Sequence, residues 1–168
     1  MASTLSRIGP CSPGALSSST SAVASSSSAF RSASDASAVS LIQKLGLNRA
    51  DTTWTPCYRK AVDGASSYTF HSRCDGRGPT LTVIESSHGY TFGGYTSVSW
   101  SRSDGYSSDN SAFLFSDRGQ GSIDSVEKYQ VKSGYSNAIY RSSSYGPTFG
   151  GGRDLQVNSN MNGGYTSY

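Results

Sequence analysis

The pattern of apolar and polar residues between positions 64 and 100 changes from a helical period to a strand period. Tyr68, Phe70 and Cys74 recur near helical spacing after a serine pair, at positions 66 and 67, that can cap a helix. Asp75-Gly76 follows, and glycine ends helices because it adopts the left-handed conformation at little cost. The pattern therefore predicts a short helix that ends at Asp75-Gly76.

An antiparallel hairpin is predicted directly after this helix. Pro79 favours an extended entry, and residues 80–85 (TLTVIE) alternate polar and apolar positions and are rich in β-branched side chains. Residues 86–89 form a short connection to a second strand pattern at residues 90–96 (YTFGGYT). Glycine within a strand indicates a bulge or a close approach, so we expect a backbone or an aromatic ring to lie against Gly93-Gly94.

Short apolar segments continue on both sides of the hairpin. Residues 39–47 (VSLIQKLGL) have near-helical spacing and predict an amphipathic helix, and residues 112–115 (AFLF) predict a strand buried on both faces. Residues 129–131 and 138–140 predict two strands joined by a turn at Ser133-Gly134. Residues 154–157 predict a last short strand.

These elements predict an α+β protein, mainly β, built as an antiparallel two-sheet sandwich with short flanking helices. We expect one shared interior for five apolar residues of the strands: Leu81, Ile84, Phe92, Phe113 and Leu155.

The first forty residues differ in composition from the rest, with fifteen serines and eight alanines. Such a segment buries too little apolar surface to offset the entropy lost on ordering. We therefore predict a disordered tail at residues 1–38 and one domain at residues 39–168. Arg7 and Arg31, with no acidic residue before Asp35, are also typical of a cleaved organellar transit segment. The predicted location is the cytoplasm, with organellar import as the alternative.

Charge and hydropathy exclude two classes of function. The net charge is +3, from 14 basic and 11 acidic residues, and no Lys/Arg cluster is present, which argues against nucleic-acid binding. No apolar run approaches the roughly 20 residues of a membrane span.

Cys11, Cys57 and Cys74 cannot all pair within the chain and match no zinc spacing, so we expect buried or idle thiols in a reducing compartment.

One candidate catalytic pair is His71 with Cys74, three residues apart on the predicted helix and next to Asp75. The alternative is a buried, structural Cys74 beside a half-exposed His71. An exposed Cys74 of low pKa could instead act as an oxidisable thiol. Asp75, Glu85 and His88 have no recognised metal-ligand spacing, so neither a metal nor another cofactor is predicted.

Several motifs, in order, resemble a known family. Cys-Asp-Gly-Arg-Gly-Pro-Thr-Leu-Thr-Val-Ile (74–84), Gly-Tyr-Thr-Phe-Gly-Gly-Tyr (89–95), Trp100, Ser-Ala-Phe-Leu-Phe-Ser (111–116), Asn-Ala-Ile-Tyr (137–140) and Gly-Pro-Thr-Phe-Gly-Gly-Gly-Arg-Asp-Leu (146–155) are similar to the TLDc domain of the oxidation-resistance proteins. The resemblance implies the same sandwich, protection against oxidative stress and association with the vacuolar-type proton pump. The positions on which the fold rests are then Cys74, Gly76, Gly78, Pro79, Thr80, Leu81, Gly89, Phe92, Gly93, Gly94, Trp100, Phe113, Phe115, Gly146, Pro147, Phe149, Gly150, Gly152, Asp154 and Leu155.

The chain departs from the family pattern at its C-terminal end, because family members continue with further strands and a closing segment that bears an acid pair. We therefore expect a C-terminally incomplete domain with an open sheet edge. Such an edge invites self-association or a partner strand.

The predicted function is a non-enzymatic protein-interaction module, because no convincing catalytic constellation accompanies the sandwich. Loops displayed by a rigid sheet are common recognition sites. The alternatives are a redox-active protein that uses Cys74, or a truncated structural component of a larger assembly. The candidate contact residues are Ser86, Ser87, His88, Gly89, Arg102, Asp104, Tyr106 and Asp109.

Overall fold

The computed structural model describes residues 2–8, 36–50, 52–118, 122–131 and 135–166. Its helices are α1 (Ala36–Lys44), α2 (Lys60–Asp63) and α3 (Ser67–Cys74). Its strands are β1 (Ala2–Ile8), β2 (Thr53–Arg59), β3 (Thr80–Glu85), β4 (Thr91–Thr96), β5 (Gly105–Ser107), β6 (Phe113–Ser116), β7 (Glu127–Gln130), β8 (Ile139–Arg141), β9 (Thr148–Phe149), β10 (Leu155–Val157) and β11 (Gly164–Thr166).

Two antiparallel sheets form the body of the molecule, as predicted for a mainly β sandwich. The described strands of one sheet are ordered β2-β1-β3-β4-β6-β7, and those of the other β11-β10-β9-β8-β5. Of the helices in the described segments, none has the length and apolar character that crossing a bilayer requires.

The predicted helix and hairpin around residue 75 are confirmed. Helix α3 ends at Cys74, and Gly76 follows with φ of 70°, in the left-handed region. Ser66 occupies the N-cap position, although its side chain makes no capping hydrogen bond. Strands β3 and β4 then pair from Thr80 opposite Thr96 to Glu85 opposite Thr91.

The expectation of a single shared interior is wrong, because the six-stranded sheet is covered on both faces. Leu81 and Phe113 lie in a buried cluster with residues of α1. Leu155 lies in a second buried cluster, between the two sheets, and Ile84 and Phe92 pack against that cluster. Leu81 and Ile84 are three residues apart on one strand, and strand side chains alternate between faces. We call these the helix-side core and the inter-sheet core.

Gly93 and Gly94 are sites of close approach, as the sequence predicts. A Cβ atom at Gly93 would collide with the Thr82 carbonyl group and the Phe115 ring. A Cβ atom at Gly94 would lie 2.8 Å from the Phe149 ring, which reaches across from the other sheet. Glycine therefore lets the two sheets pack closely at this point.

Strands β7 and β8 are not the hairpin that the sequence suggests. Strand β7 pairs with β6 in one sheet, whereas β8 pairs with β5 and β9 in the other. Ile139 is fully buried in the inter-sheet core, while β7 is exposed along its length. Burial of Ile139 thus places β8 in the second sheet, and the predicted turn at Ser133-Gly134 lies outside the described residues.

The N-terminal segment contains a strand that the sequence analysis did not predict. Strand β1 lies within the predicted tail and pairs with β2 on one side and β3 on the other. Helix α1 begins at Ala36, three residues before the predicted domain start. Residues 9–35 lie outside the described residues, and for them the predicted tail stays a prediction.

Candidate functional site

The candidate nucleophile Cys74 is joined by a disulfide to Cys57 of β2. Their Cα atoms are 5.4 Å apart, within the usual range for a disulfide. Cys74 is fully buried. The expectation of idle thiols is therefore wrong for these two cysteines, and Cys74 offers no free thiolate in this state. Cys11 lies outside the described residues.

His71 is buried, at 2% exposure, and not half-exposed as predicted. Its Nδ1 lies 2.7 Å from Oδ1 of Asp75, and its Nε2 lies 2.9 Å from the backbone oxygen of Tyr145. A carboxylate and a carbonyl group only accept hydrogen bonds, so both bonds form together when the ring carries protons on both nitrogens. His71 thus joins α3 to the segment before β9 and is not directed at a sulfur nucleophile.

Arg102 places the loop after Trp100 against the exposed side of α3. Its guanidinium carbon lies 4.9 Å from the centroid of the Tyr68 ring, and its Nε lies 3.6 Å from Oδ2 of Asp75. A cation over an aromatic face is attracted by the ring quadrupole. The loop residue Arg102 and helix α3 therefore form one continuous surface.

Asp109, a predicted contact residue, is 4% exposed and holds this loop from inside. Its carboxylate accepts hydrogen bonds from the Thr96 hydroxyl at 2.7 Å, from the Ser97 amide and hydroxyl at 2.6 and 2.8 Å, and from the Ser111 amide at 2.9 Å. Burial by itself raises the pKa of Asp109, but these hydrogen bonds outweigh it and hold the pKa below its ordinary value.

The two predicted contact loops lie at opposite ends of β4. The turn at 86–89 precedes β4, where Gly89 has φ of 82° and His88 stacks on Tyr90 with ring centroids 6.0 Å apart. The loop that carries Arg102 and Asp104 follows β4. A strand rises about 3.4 Å per residue, so roughly 20 Å separates the loops. They do not form one site.

The outer face of the five-stranded sheet carries a group of aromatic and basic side chains that sequence reasoning only partly found. Tyr106 on β5 is opposite Tyr140 on β8, with ring centroids 4.9 Å apart. The Arg153 guanidinium carbon lies 5.8 Å from the Tyr140 ring centroid and 5.0 Å from that of Tyr145. We call these four residues the tyrosine–arginine patch. The sequence does contain one signal for the outward position of Tyr140. The apolar residue before it, Ile139, points inward, and side chains alternate between the two faces along β8.

The candidate metal ligands are not brought together. Asp75 lies before the start of β3, whereas Glu85 and His88 lie at its far end. The described segments contain no group of three or more His, Cys, Asp or Glu side chains that could hold a metal ion.

A model of the TLDc domain matches residues 28–168. The chain belongs to the TLDc family.

Two relatives of this TLDc domain are proteins named MTOR-associated protein MEAK7. The zebrafish (Danio rerio) protein is 33% identical and the mouse (Mus musculus) protein 36% identical, each over 63 residues. That alignment covers 38% of this chain and 14% of each relative. The chain thus spans a small part of the length of the curated relatives it matches.

Several motif positions of the TLDc domain meet in the inter-sheet core. Trp100 donates a hydrogen bond from its Nε1 to the Thr80 hydroxyl at 2.8 Å, and its ring lies edge-on to Phe149 at 5.4 Å. Phe149 in turn covers Gly94. Gly150 has φ of 84°, a conformation that favours glycine. These motif residues therefore join the two sheets.

Proposed function

We propose that this TLDc domain is a protein-interaction module that performs no reaction of its own. Its docking surface is the tyrosine–arginine patch together with Arg102 and Tyr68 at the adjoining edge of α3. The observation that carries the proposal is the clustering of Tyr106, Tyr140 and Arg153 on one outer face of a sheet.

The residue types of the patch are those that dominate protein interfaces. Tyrosine and arginine are enriched among interface residues whose loss costs most binding energy, because they combine large contact area with hydrogen bonding. Tyr106 remains 42% exposed although its hydroxyl donates to the Gly151 carbonyl group at 2.9 Å. The patch is therefore held in place before a partner arrives, which reduces the entropy lost on binding.

The positive charge of the surface indicates the charge of the partner's contact residues. Arg153 lies against two rings, and Arg102 lies over Tyr68, so both guanidinium groups are positioned near the outer surface. Arginine binds carboxylates in a two-pronged geometry. We infer a partner that presents acidic side chains around an apolar contact.

Family resemblance supports the vacuolar-type proton pump as that partner, with protection against oxidative stress as a consequence of pump regulation. The zebrafish and mouse relatives are named MTOR-associated proteins, which supports MTOR as a second protein partner. Both proposals require a docking surface and no catalytic residue.

Binding to purified pump at micromolar concentration tests the proposal, measured by biolayer interferometry with the full chain. We expect the double substitution Tyr106→Ala and Arg153→Ala to weaken binding at least tenfold, since it removes two central residues. His88→Ala, at the far end of β4, is the matched control and should leave affinity unchanged. No binding by the unsubstituted chain, or an equal effect of the control, contradicts the proposal.

A redox role for Cys74 is less well supported, because its sulfur is buried and already bonded to Cys57. Oxidation by peroxide requires an accessible thiolate. Replacing Cys74 by serine in cells exposed to peroxide distinguishes the two functions. If protection depends on pump binding alone, a folded Cys74→Ser chain protects as well as the original.

A further inference from the structure

Strand β1 occupies an interior position in the six-stranded sheet. It pairs antiparallel with β2 from Ser3 opposite Arg59 to Ile8 opposite Thr53. On its other side it pairs with β3, from Ala2 opposite Ile84 to Ser6 opposite Thr80. Adjacent strands are about 4.8 Å apart, so β2 and β3 lie roughly 10 Å from each other, with one strand between them.

The two walls of this gap are held by contacts that do not involve β1. Strand β2 is attached to α3 through the Cys57–Cys74 disulfide and through Tyr58, whose ring lies edge-on to Phe70 at 5.9 Å. Trp54 of β2 also donates to the Leu47 carbonyl group at 3.3 Å. Strand β3 is paired along its whole length with β4. The gap between β2 and β3, which we call the slot, therefore has main-chain donors and acceptors on both sides.

The occupant of the slot reaches it from a distant part of the chain. Residues 9–35 separate β1 from α1, and the family match begins only at residue 28, beyond β1. The intervening sequence is rich in serine and alanine. A covalent connection of this kind raises the local concentration of β1 at the slot.

We propose that the gap between β2 and β3 is a strand-acceptor slot and that Ala2–Ile8 is its tethered ligand. The slot binds this segment in an extended conformation, mainly by hydrogen bonds to the β2 and β3 backbones. This is the mode of recognition in which an added strand completes a sheet. The proposal does not depend on the tyrosine–arginine patch.

Cleavage of the folded full chain tests the slot directly. A protease site inserted in the serine run at 17–19 allows the N-terminal fragment to be cut from its tether. We expect the fragment to co-elute with the domain in gel filtration and to be displaced by excess fluorescent peptide of residues 1–10. The intact chain should bind the same peptide at least tenfold more weakly than the cut chain, because its slot stays filled.

The sequence of the peptide provides the matched control. Leu5→Pro removes one main-chain donor and fixes φ, so the substituted peptide should bind at least tenfold more weakly. Arg7→Lys keeps the backbone unchanged and should bind like the original. Equal binding of the proline peptide overturns the proposal, as does a fragment that leaves on cleavage without lowering the melting temperature. If cleavage unfolds the domain, millimolar peptide must restore the melting temperature, and failure to do so also overturns it.

Discussion

At Gly94 the added atoms of an alanine would lie 2.8 to 2.9 Å from three carbons of the Phe149 ring. Favourable carbon contacts are about 3.5 to 4.0 Å, so Gly94→Ala must displace the ring or separate the sheets. Overpacking of this kind costs about 1–3 kcal/mol. We expect a lower urea midpoint for Gly94→Ala, measured by tryptophan fluorescence, because Trp100 contacts the same ring.

Gly105 offers a matched control within the other sheet. A Cβ atom there has no neighbour within 4 Å, and its φ is not in the left-handed region. Gly105→Ala should leave the urea midpoint unchanged or raise it slightly, because alanine restricts the unfolded chain. If the two variants behave alike, close approach of Phe149 is not the reason for glycine at 94.

Because of Asp109, the stability of the loop after β4 depends on pH in the acid range. Its folded pKa is lowered, so the stabilisation is present above the unfolded pKa of about 3.9 and is lost as pH falls through the folded pKa. Asp109→Asn should lower the free energy of unfolding by roughly 1–3 kcal/mol at pH 7, because it removes the charge from a hydrogen-bonded buried group. Urea denaturation at pH 7 and below pH 3 measures the difference, which should shrink at the acid end.

Asp104→Asn is the control for that experiment. Asp104 is exposed and has φ of 46°, a conformation that asparagine tolerates. We expect Asp104→Asn to leave the free energy of unfolding at pH 7 unchanged. A difference between Asp109→Asn and the original chain that is constant over the whole pH range would contradict the assigned role of the carboxylate.

Helix α3 is an element that depends on its attachments. Eight residues form a marginal helix in isolation, and α3 is attached to the body of the domain by Cys74, Phe70 and His71. The Cys57–Cys74 bond closes a loop with a sequence separation of 17 residues. In the chain-entropy model a loop of that size stabilises the fold by about 3 kcal/mol. The double substitution Cys57→Ser and Cys74→Ser should lower the free energy of unfolding by this amount.

Reduction provides an independent measurement of the same effect. Dithiothreitol should lower the urea midpoint of the original chain toward that of the double variant and should not affect the variant itself. Cys11→Ser keeps the disulfide and serves as the control. If dithiothreitol lowers the urea midpoints of the original chain and the double variant equally, the disulfide is not the cause of their difference in stability.

The elements that sequence predicts well are those determined by local signals. Residues 64–96 contain a helix stop, a proline and an alternating strand pattern, and they form α3, β3 and β4 as expected. Strand β1 has no such signal, because its place depends on pairing with β2 and β3, which are distant in sequence. The Cys57–Cys74 pairing was also not predictable, since three cysteines permit three pairings and spacing does not select one.

The residues of the candidate docking surface also include some that the sequence predicted and some that it did not. Arg102 and Tyr106 were found from the loop that carries them, whereas Tyr140, Tyr145 and Arg153 were missed. These three are separated from the loop by more than thirty residues of sequence, and the antiparallel pairing of β5 with β8 brings them to it. A recognition surface on a sheet face depends on strand order, which a single sequence does not reveal.

The molecule as a whole is organised around a sheet with a core on each face. Helix α1 covers one face through Leu41 and Ile42, and the second sheet covers the other through Ile139 and Phe149. Strand β3 contributes to both, because its side chains alternate between the faces. Both cores should therefore unfold in one transition, although their side chains are separated by a layer of backbone.

Two conservative truncations test this arrangement. Ile42→Val removes one methylene group from the helix-side core and Ile139→Val removes one from the inter-sheet core, and each should cost about 0.5–1.5 kcal/mol. Residues without shared partners have additive effects within about 0.5 kcal/mol. We therefore expect the double variant to lose the sum of the two values in a single urea transition followed by fluorescence and circular dichroism. A second transition would mean that the two faces fold as separate units. A coupling energy larger than about 0.5 kcal/mol would mean that the two cores share a strained strand.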